Sequence, residues 1–309
     1  MEIASRFVQI VVTPGSGEGR AMWTAGRLRR LFRRRGWESR LLAFSDLRGL
    51  SRWAREAQPD FSHLVAVGGD ATLSAAAALA VRRRIPFVPV PNGFGNVFAR
   101  VFGHDGRAEN VVKLLESGEL RMVDVGVVDD ELFLSHRSYG ALEQIQVEAE
   151  RGRQQPRARL LRHLWYYSVA RRVLFSMPVP AVSVSVDDHP VATDAVLVTV
   201  ANVETYRGFL SLTPTASPID GLFDVFVIPR TSKLGLAVRL IALATDAPGR
   251  WRGVAVYRGR TVTVAVDGRT EELKAWRRVL PLLVPKGAIE ALRQRTVEAE
   301  ADAPEVRAS

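Results

Sequence analysis

The sequence predicts an α/β domain built on a parallel sheet, followed by a mostly antiparallel β-sandwich domain. Three observations carry that expectation. Over residues 1–120 short apolar runs alternate with helix-forming segments, the pattern of a parallel sheet covered by helices on both faces. Two of those runs end in glycine turns that lead into helix starts. Beyond Arg121 strand-like runs follow one another with few helices between them, the pattern of an antiparallel domain. The boundary falls near Asp124, giving units 1–124 and 125–296, the second with a helical insertion at about 141–176. The tail 297–309, rich in Ala and Glu, is expected to be disordered.

Taken in order, Phe7–Val12 reads as a buried first strand, and Thr13 to Gly19 as a glycine-rich turn. A helix follows over about Arg20 to Arg35, with Trp23, Leu28, Leu31 and Phe32 facing inward and its arginines outward. Trp37 to Ala43 is the next strand, and Leu47 to Ala57 a helix stopped by Gln58-Pro59. Leu64 to Val67 is an apolar strand that runs into Gly68-Gly69-Asp70-Ala71-Thr72 and an alanine-rich helix to Ala80. Ile85 to Pro91 repeats the scheme, running into Asn92-Gly93-Phe94-Gly95-Asn96 and a short helix. Asn110 to Ser117 is a helix ended by Gly118.

In the second unit Arg121–Val127, Glu131–Ser135, Val182–Val186, Asp194–Ala201, Leu222–Ile228, Val254–Tyr257 and Thr261–Val266 read as strands. Turn signals such as Asp187-Asp188-His189-Pro190 and Arg258-Gly259 separate some of them.

Loops at the carboxyl ends of neighbouring parallel strands share one crevice, so the two glycine turns form one candidate ligand site. Paired glycines let a backbone approach a ligand closely, and the helix start after Gly69 offers free N–H groups and a positive dipole end to a phosphate. Asp70 and Thr72 add a carboxylate and a hydroxyl; the plainer alternative is that they only cap the helix.

Gly68-Gly69-Asp70-Ala71-Thr72 followed by Pro91-Asn92-Gly93-Phe94-Gly95-Asn96-Val97-Phe98-Ala99-Arg100 resembles the paired GGDGT and P-x-GTxNDFAR motifs of the diacylglycerol and sphingosine kinase-like lipid kinases. Their catalytic domain is related to NAD kinase. Thr13 to Gly19, which includes Gly17, is similar to that family's NPxSGxG segment. The resemblance implies ATP bound by Gly17, Gly68, Gly69, Asp70, Ala71, Thr72, Gly93, Gly95 and Asn96, and a lipid acceptor. Ser217-Pro218-Ile219-Asp220-Gly221-Leu222-Phe223-Asp224-Val225 is similar to the family's DGLLDV block. It implies Mg²⁺ held by the Asp220 carboxylate and the carbonyls of Leu222 and Ser217, oxygen donors suited to a hard cation. Without the resemblance, Asp220-Gly221 reads equally as a turn before a strand.

Val266-Asp267-Gly268 matches the family's VDGE, which implies Asp267 as the catalytic base, with Arg269 where the glutamate is usual. Phe94, Ser74, Ala75 and Val97 also depart from the family's residues, as do Arg207 and Phe209 near the second-domain asparagine Asn202. The expected function is therefore ATP-dependent phosphorylation of a diacylglycerol-like or sphingoid lipid. The alternatives are a catalytically impaired nucleotide- or lipid-binding relative and another NAD kinase-like phosphotransferase.

Composition narrows the partners. The net charge is +10, and only four of the 43 basic residues are lysine. Such a charge favours nucleotides or anionic lipid surfaces, while no nucleic-acid-binding signature accompanies it. In the 141–176 insertion, Arg151, Arg153, Arg157, Arg159, Arg162, Arg171 and Arg172 alternate with Leu161, Trp165, Tyr166 and other apolar residues. That pattern suits an anionic membrane surface, or a surface helix packed on the second domain. With no run of about 18 apolar residues, no signal-peptide pattern and no cysteine, the expected place is the cytoplasm, peripheral to the inner membrane face. A homodimer is compatible with the sequence.

Overall fold

The structure is a computed structural model, and it describes residues 6–15, 19–93, 95–151, 168–173, 175–204, 212–245, 249, 251–301, 303 and 306–308. The first unit runs β1 (Phe7–Val12), α1 (Arg20–Arg34), β2 (Glu38–Ala43), α2 (Leu47–Glu56), β3 (His63–Gly68), α3 (Asp70–Arg83), β4 (Phe87–Pro91), α4 (Val97–Val101) and α5 (Ala108–Ser117). Strands β4, β3, β1 and β2 lie side by side and parallel. Because successive side chains of a strand point to opposite faces, β3 sends Leu64 and Ala66 into one core and Val65 and Val67 into another. The first core is covered by α2, α3 and α4, and the second by α1 and α5. This is the expected three-layer arrangement.

The second unit runs β5 (Glu119–Val128), β6 (Glu131–Phe133), β7 (His136–Gly140), α6 (Ala141–Arg151), β8 (Val182–Val186), β9 (His189–Ala201), β10 (Phe223–Pro229), α7 (Lys233–Ala244), β11 (Ala255–Gly259), β12 (Thr261–Val266), β13 (Arg269–Val284), α8 (Ala288–Glu300) and β14 (Val306–Ala308). Antiparallel pairings dominate, and Val184, Val198, Val200, Phe223, Val225, Val262, Val264 and Leu273 fill one apolar interior. The alternate residues Phe226 and Ile228 of β10 face a further core completed by Leu236 and Leu243 of α7.

One 14-stranded sheet runs through both units, and β13 is the strand that joins them. Its first half pairs with β12, while Leu282 lies beside Phe87 of β4. Leu280, Leu282 and Val284, with Ile289 and Leu292 of α8, are buried in the first unit's core. Asp124, expected at the boundary, lies inside β5, which pairs with β13 along its length.

Several expectations change. Trp23 is 62% exposed rather than inward: α1 buries Ala21, Thr24, Ala25, Leu28 and Phe32, and the Arg27 guanidinium lies 5.4 Å from the Trp23 ring centre. The turn at 187–190 is only Asp187-Asp188, both at positive φ, so His189 and Pro190 already belong to β9. The tail is not wholly disordered. Helix α8 continues to Glu300 because Ile289 and Leu292 anchor it, and β14 pairs with β11. Long β13, α7 and α8 had no sequence assignment. Within the arginine-rich insertion, α6 and residues 168–173 are helical, whereas 152–167, with Trp165 and Tyr166, lie outside the described residues.

Candidate functional site

The two glycine turns meet. Gly68 O accepts the N–H of Asn92 at 2.9 Å, and a Cβ on Gly93 would come within 2.9 Å of the Gly69 Cα. Only glycine permits that approach. The Asp70 carboxylate ties the loops together: Oδ2 accepts the backbone N–H of Asn96 at 2.8 Å, and a Cβ on Gly95 would crowd the same oxygen at 2.8 Å. Asn96 takes φ 52°, a left-handed conformation that asparagine tolerates, and its Nδ2 donates to Gly93 O at 3.0 Å. Thr72 is held from the turn after β1, its hydroxyl 2.6 Å from that of Thr13. Ala71 lies within α3 with ordinary helical geometry, so the family's glycine is not required there.

The structure thus brings the Gly68–Thr72 turn and the turn carrying Gly93, Gly95 and Asn96 together. Both Asp70 oxygens accept hydrogen bonds within the protein, from the Asn96 N–H and the Ser135 hydroxyl. Gly17 and Phe94 lie outside the described residues. The loops retain polar capacity: Asn92 Nδ2 and Asn96 Oδ1 are buried without a partner among the described residues. Gly69 has open space where a Cβ would sit. A buried donor and acceptor in the second loop, with the start of a 14-residue helix in the first, suit the polar edge and phosphates of a nucleotide.

A hydrogen-bond chain leads from these loops into the second unit. Ser135 Oγ donates to Asp70 Oδ1 at 3.2 Å, and Ser74 Oγ accepts the N–H of Leu134 at 3.3 Å. Asn202, fully buried, donates its backbone N–H to Ser135 O at 2.8 Å and its amide to Leu134 O at 2.9 Å and Asp124 O at 3.2 Å. The Asp124 carboxylate then accepts the N–H of Gly221 at 2.6 Å and of Arg278 at 2.7 Å. Arg278 sits at φ 52° in the irregularity of β13 between Trp276 and Leu280. One buried carboxylate therefore fixes both the Asp-Gly-Leu turn and the bend that returns β13 to the first unit. Burial raises the Asp124 carboxyl above the usual range against the pull of those two N–H groups. Nothing local in the sequence marks this role of Asp124, since its partners are 97 and 154 positions away.

Around Gly221, Asp220 Oδ1 accepts the N–H of Leu222 at 2.9 Å. Asp224, buried, is ion-paired with Arg258 at 2.8 Å and hydrogen-bonded by the Thr215 hydroxyl. Burial, with Asp224 and Asp124 nearby, pushes the Asp220 carboxyl up to about 6, against the opposing N–H of Leu222 and the charge of Arg258. Among the described residues no cluster of three or more His, Cys, Asp or Glu converges on a metal position. A single partly buried carboxylate such as Asp220 suits a hard cation where backbone oxygens and water complete the coordination.

Asp267 is placed differently from both groups. It occupies an exposed two-residue hairpin turn between β12 and β13, at φ 48° with Gly268 at φ 75°, and has no hydrogen bond or ion pair among the described residues. Two positions beyond Arg269, on the same face of β13, Glu271 Oε2 accepts the Tyr139 hydroxyl at 2.6 Å. The carboxyl of Glu143 is raised by burial and by the charges of Glu271 and Asp267, while Arg137 and Arg269 oppose the rise. Asp267 and Glu271 of the hairpin and Glu143 of α6 thus form an acidic group, with Arg269 close enough to oppose its charge.

Comparison with known proteins follows the same division. A model of the diacylglycerol kinase catalytic domain matches residues 8–128, and one of the YegS C-terminal NAD kinase beta sandwich-like domain matches residues 144–277. The chain is 25% identical over 244 residues to a diacylglycerol kinase of Bacillus subtilis (strain 168), covering 76% of this chain and 78% of that protein. It is 23% identical over 181 residues to a diacylglycerol kinase of Staphylococcus saprophyticus, covering 58% of each. In fold it is similar to a crystal structure of a diacylglycerol kinase from Bacillus anthracis str. Sterne, with TM-score 0.66 at 16% identity over 92% of this chain and 99% of that one.

Proposed function

From a chain that belongs to the family of lipid kinases with a diacylglycerol kinase catalytic domain, we propose that it transfers the γ-phosphoryl group of ATP to a hydroxyl of a diacylglycerol-like or sphingoid lipid. The observation that carries this reading is the joining of the two glycine loops through Asp70 and Asn96, at 2.8 Å. It sets the second glycine loop against the N-terminus of α3. The α3 N-terminus and the close-packed Gly69 and Gly93 would orient the triphosphate, and Asn92 and Asn96 would supply the unspent donor and acceptor. Bound Mg²⁺ would offset negative charge, with Asp220 and the carbonyls of Ser217 and Leu222 as its proposed holders.

The acceptor hydroxyl needs a carboxylate to orient it and take its proton as the phosphoryl group transfers. Asp267 is proposed for that role, since it stands in the family's acidic turn. Glu271 and Glu143 keep the surroundings acidic, and Arg269 would stabilise charge on the transferring group. A second reading, a relative that binds nucleotide and lipid without turnover, is favoured by one observation: Arg269 stands where the family's glutamate is usual.

The proposed working place is the cytoplasmic face of an anionic membrane. No helix among the described residues is long and apolar enough to cross one. The deciding experiment is ATP turnover by purified protein with diacylglycerols, sphingoid bases and lipid extracts. Lipid-dependent ADP formation supports the kinase reading, and nucleotide binding without turnover on any lipid supports the second.

A further inference from the structure

Helix α7 is apolar on both sides. Its inner stripe, Leu236 and Leu243 with Leu240 partly buried, closes the core over β10. The opposite stripe, Leu234, Val238 and Ile241, is spaced i, i+4, i+7 and is 67%, 57% and 62% exposed. An ordinary surface helix places polar side chains there, and a helix apolar all round is normally covered on all sides. Beside the start of α7 stands Phe175, 47% exposed, whose carbonyl accepts Lys233 Nζ at 3.0 Å.

The exposed charges nearest this patch in sequence are cationic: Lys233 opens α7, and Arg172 and Arg171 lie three and four positions before Phe175. Helix α7 itself contains no acidic residue. That charge selects the occupant. A second copy of the chain would bring the same cationic residues against themselves, in a protein of net charge +10. An anionic bilayer offers both complements, apolar depth for the stripe and negative headgroups for these cations.

We propose that Leu234, Val238, Ile241 and Phe175 insert into the interfacial layer of an anionic phospholipid membrane, with Arg171, Arg172 and Lys233 at headgroup level. The choice of a membrane rests on the lipid-kinase reading, since such an enzyme must meet a substrate dissolved in a bilayer. None of these residues belongs to the glycine loops or to the Asp267 hairpin.

The test is co-sedimentation of the full chain with vesicles of phosphatidylcholine alone and of phosphatidylcholine with about one third phosphatidylglycerol. The wild type should bind the anionic vesicles and lose binding as salt rises through ~0.1–0.5 M. Leu234→Ser/Val238→Ser/Ile241→Ser should lower the partition coefficient at least about tenfold, because each aliphatic group withdrawn from water contributes in proportion to its area. Arg171→Gln/Arg172→Gln should remove most of the preference for anionic vesicles. Turnover of a short-chain, monomerically dispersed diacylglycerol should be unchanged in both variants. Vesicle binding of either variant equal to wild type would overturn the proposal. So would a wild-type dimer that the triple variant converts to monomer without losing vesicle binding, which would assign the stripe to self-association. Intact vesicle binding with no turnover on any lipid would instead defeat the kinase reading and leave the membrane surface standing.

Discussion

The Asp70 carboxylate accepts the backbone N–H of Asn96 at 2.8 Å, so a side chain of the first glycine loop holds the second loop in place across 26 residues of sequence. Its other oxygen takes the Ser135 hydroxyl at 3.2 Å, which links both loops to the second unit. The geometry of the proposed phosphate site therefore depends on one acid that need not touch the nucleotide.

Asp70→Ala removes the acceptor for both bonds. Hydrogen bonds to charged groups contribute about 1.5–3 kcal/mol each, so ATP affinity should fall by about tenfold or more while the chain still folds. Isothermal titration with a nonhydrolysable ATP analogue, beside circular dichroism, measures both. Unchanged affinity in the folded variant would remove the loop pair from the mechanism.

Asp267→Asn, Glu271→Gln and Arg269→Glu separate the roles within the acidic hairpin. If Asp267 takes the proton, Asp267→Asn should lower kcat by ~10²–10⁴-fold and Glu271→Gln by far less. The reverse order would move the base to Glu271, which Tyr139 already holds at 2.6 Å. Arg269→Glu restores the family's acid and should raise a rate limited by proton transfer. Steady-state kinetics on the best lipid decides among these outcomes.

Asp220 should make stability depend on pH and on divalent cations. Its folded pKa of about 6 lies above the ordinary carboxylate value, so the folded state binds the extra proton. That contribution is complete below the unfolded pKa, and it is lost as pH rises from ~4 to ~6, by about 1–3 kcal/mol. Thermal unfolding between pH 4 and pH 8 should show the loss in wild type and not in Asp220→Asn. Mg²⁺ should raise the Tm of wild type chiefly above pH ~6, where the carboxylate is charged, and leave Asp220→Asn unaffected. An equal Mg²⁺ effect on both proteins would place the cation elsewhere.

Asp124→Ala should be among the most destabilising single changes outside the apolar cores. It leaves the N–H groups of Gly221 and Arg278 without their acceptor, at a cost of about 1–3 kcal/mol for each buried donor left unpaired. Urea unfolding followed by fluorescence gives the value. A loss under ~1 kcal/mol would mean that water replaces the carboxylate.

Much of this protein is legible in its sequence because the relevant signals are local. Apolar runs of a few residues ending in Gly68-Gly69 and Asn92-Gly93 specify a strand, a turn and a helix start within about ten positions of chain. Neighbouring parallel strands then bring the two loops together without further instruction. The motifs that resemble the lipid kinases sit on the same local units. The tertiary structure alone decides what depends on distant partners. Asp124 resembles any strand residue until Gly221 and Arg278 arrive from 97 and 154 positions away. Glu271 meets Tyr139 across 132 positions, and β13 returns to β4 only because Leu280, Leu282 and Val284 find a core built by the first hundred residues. Trp23 reads as core by helical spacing, yet Ala21, Thr24 and Ala25 fill the face toward the sheet and leave it outside under Arg27. Periodicity can say that a side chain is apolar and which stripe it shares. Whether another element arrives to cover that stripe is a property of the whole chain, and on α7, where none of the described residues does, the sequence reads no differently from a core helix.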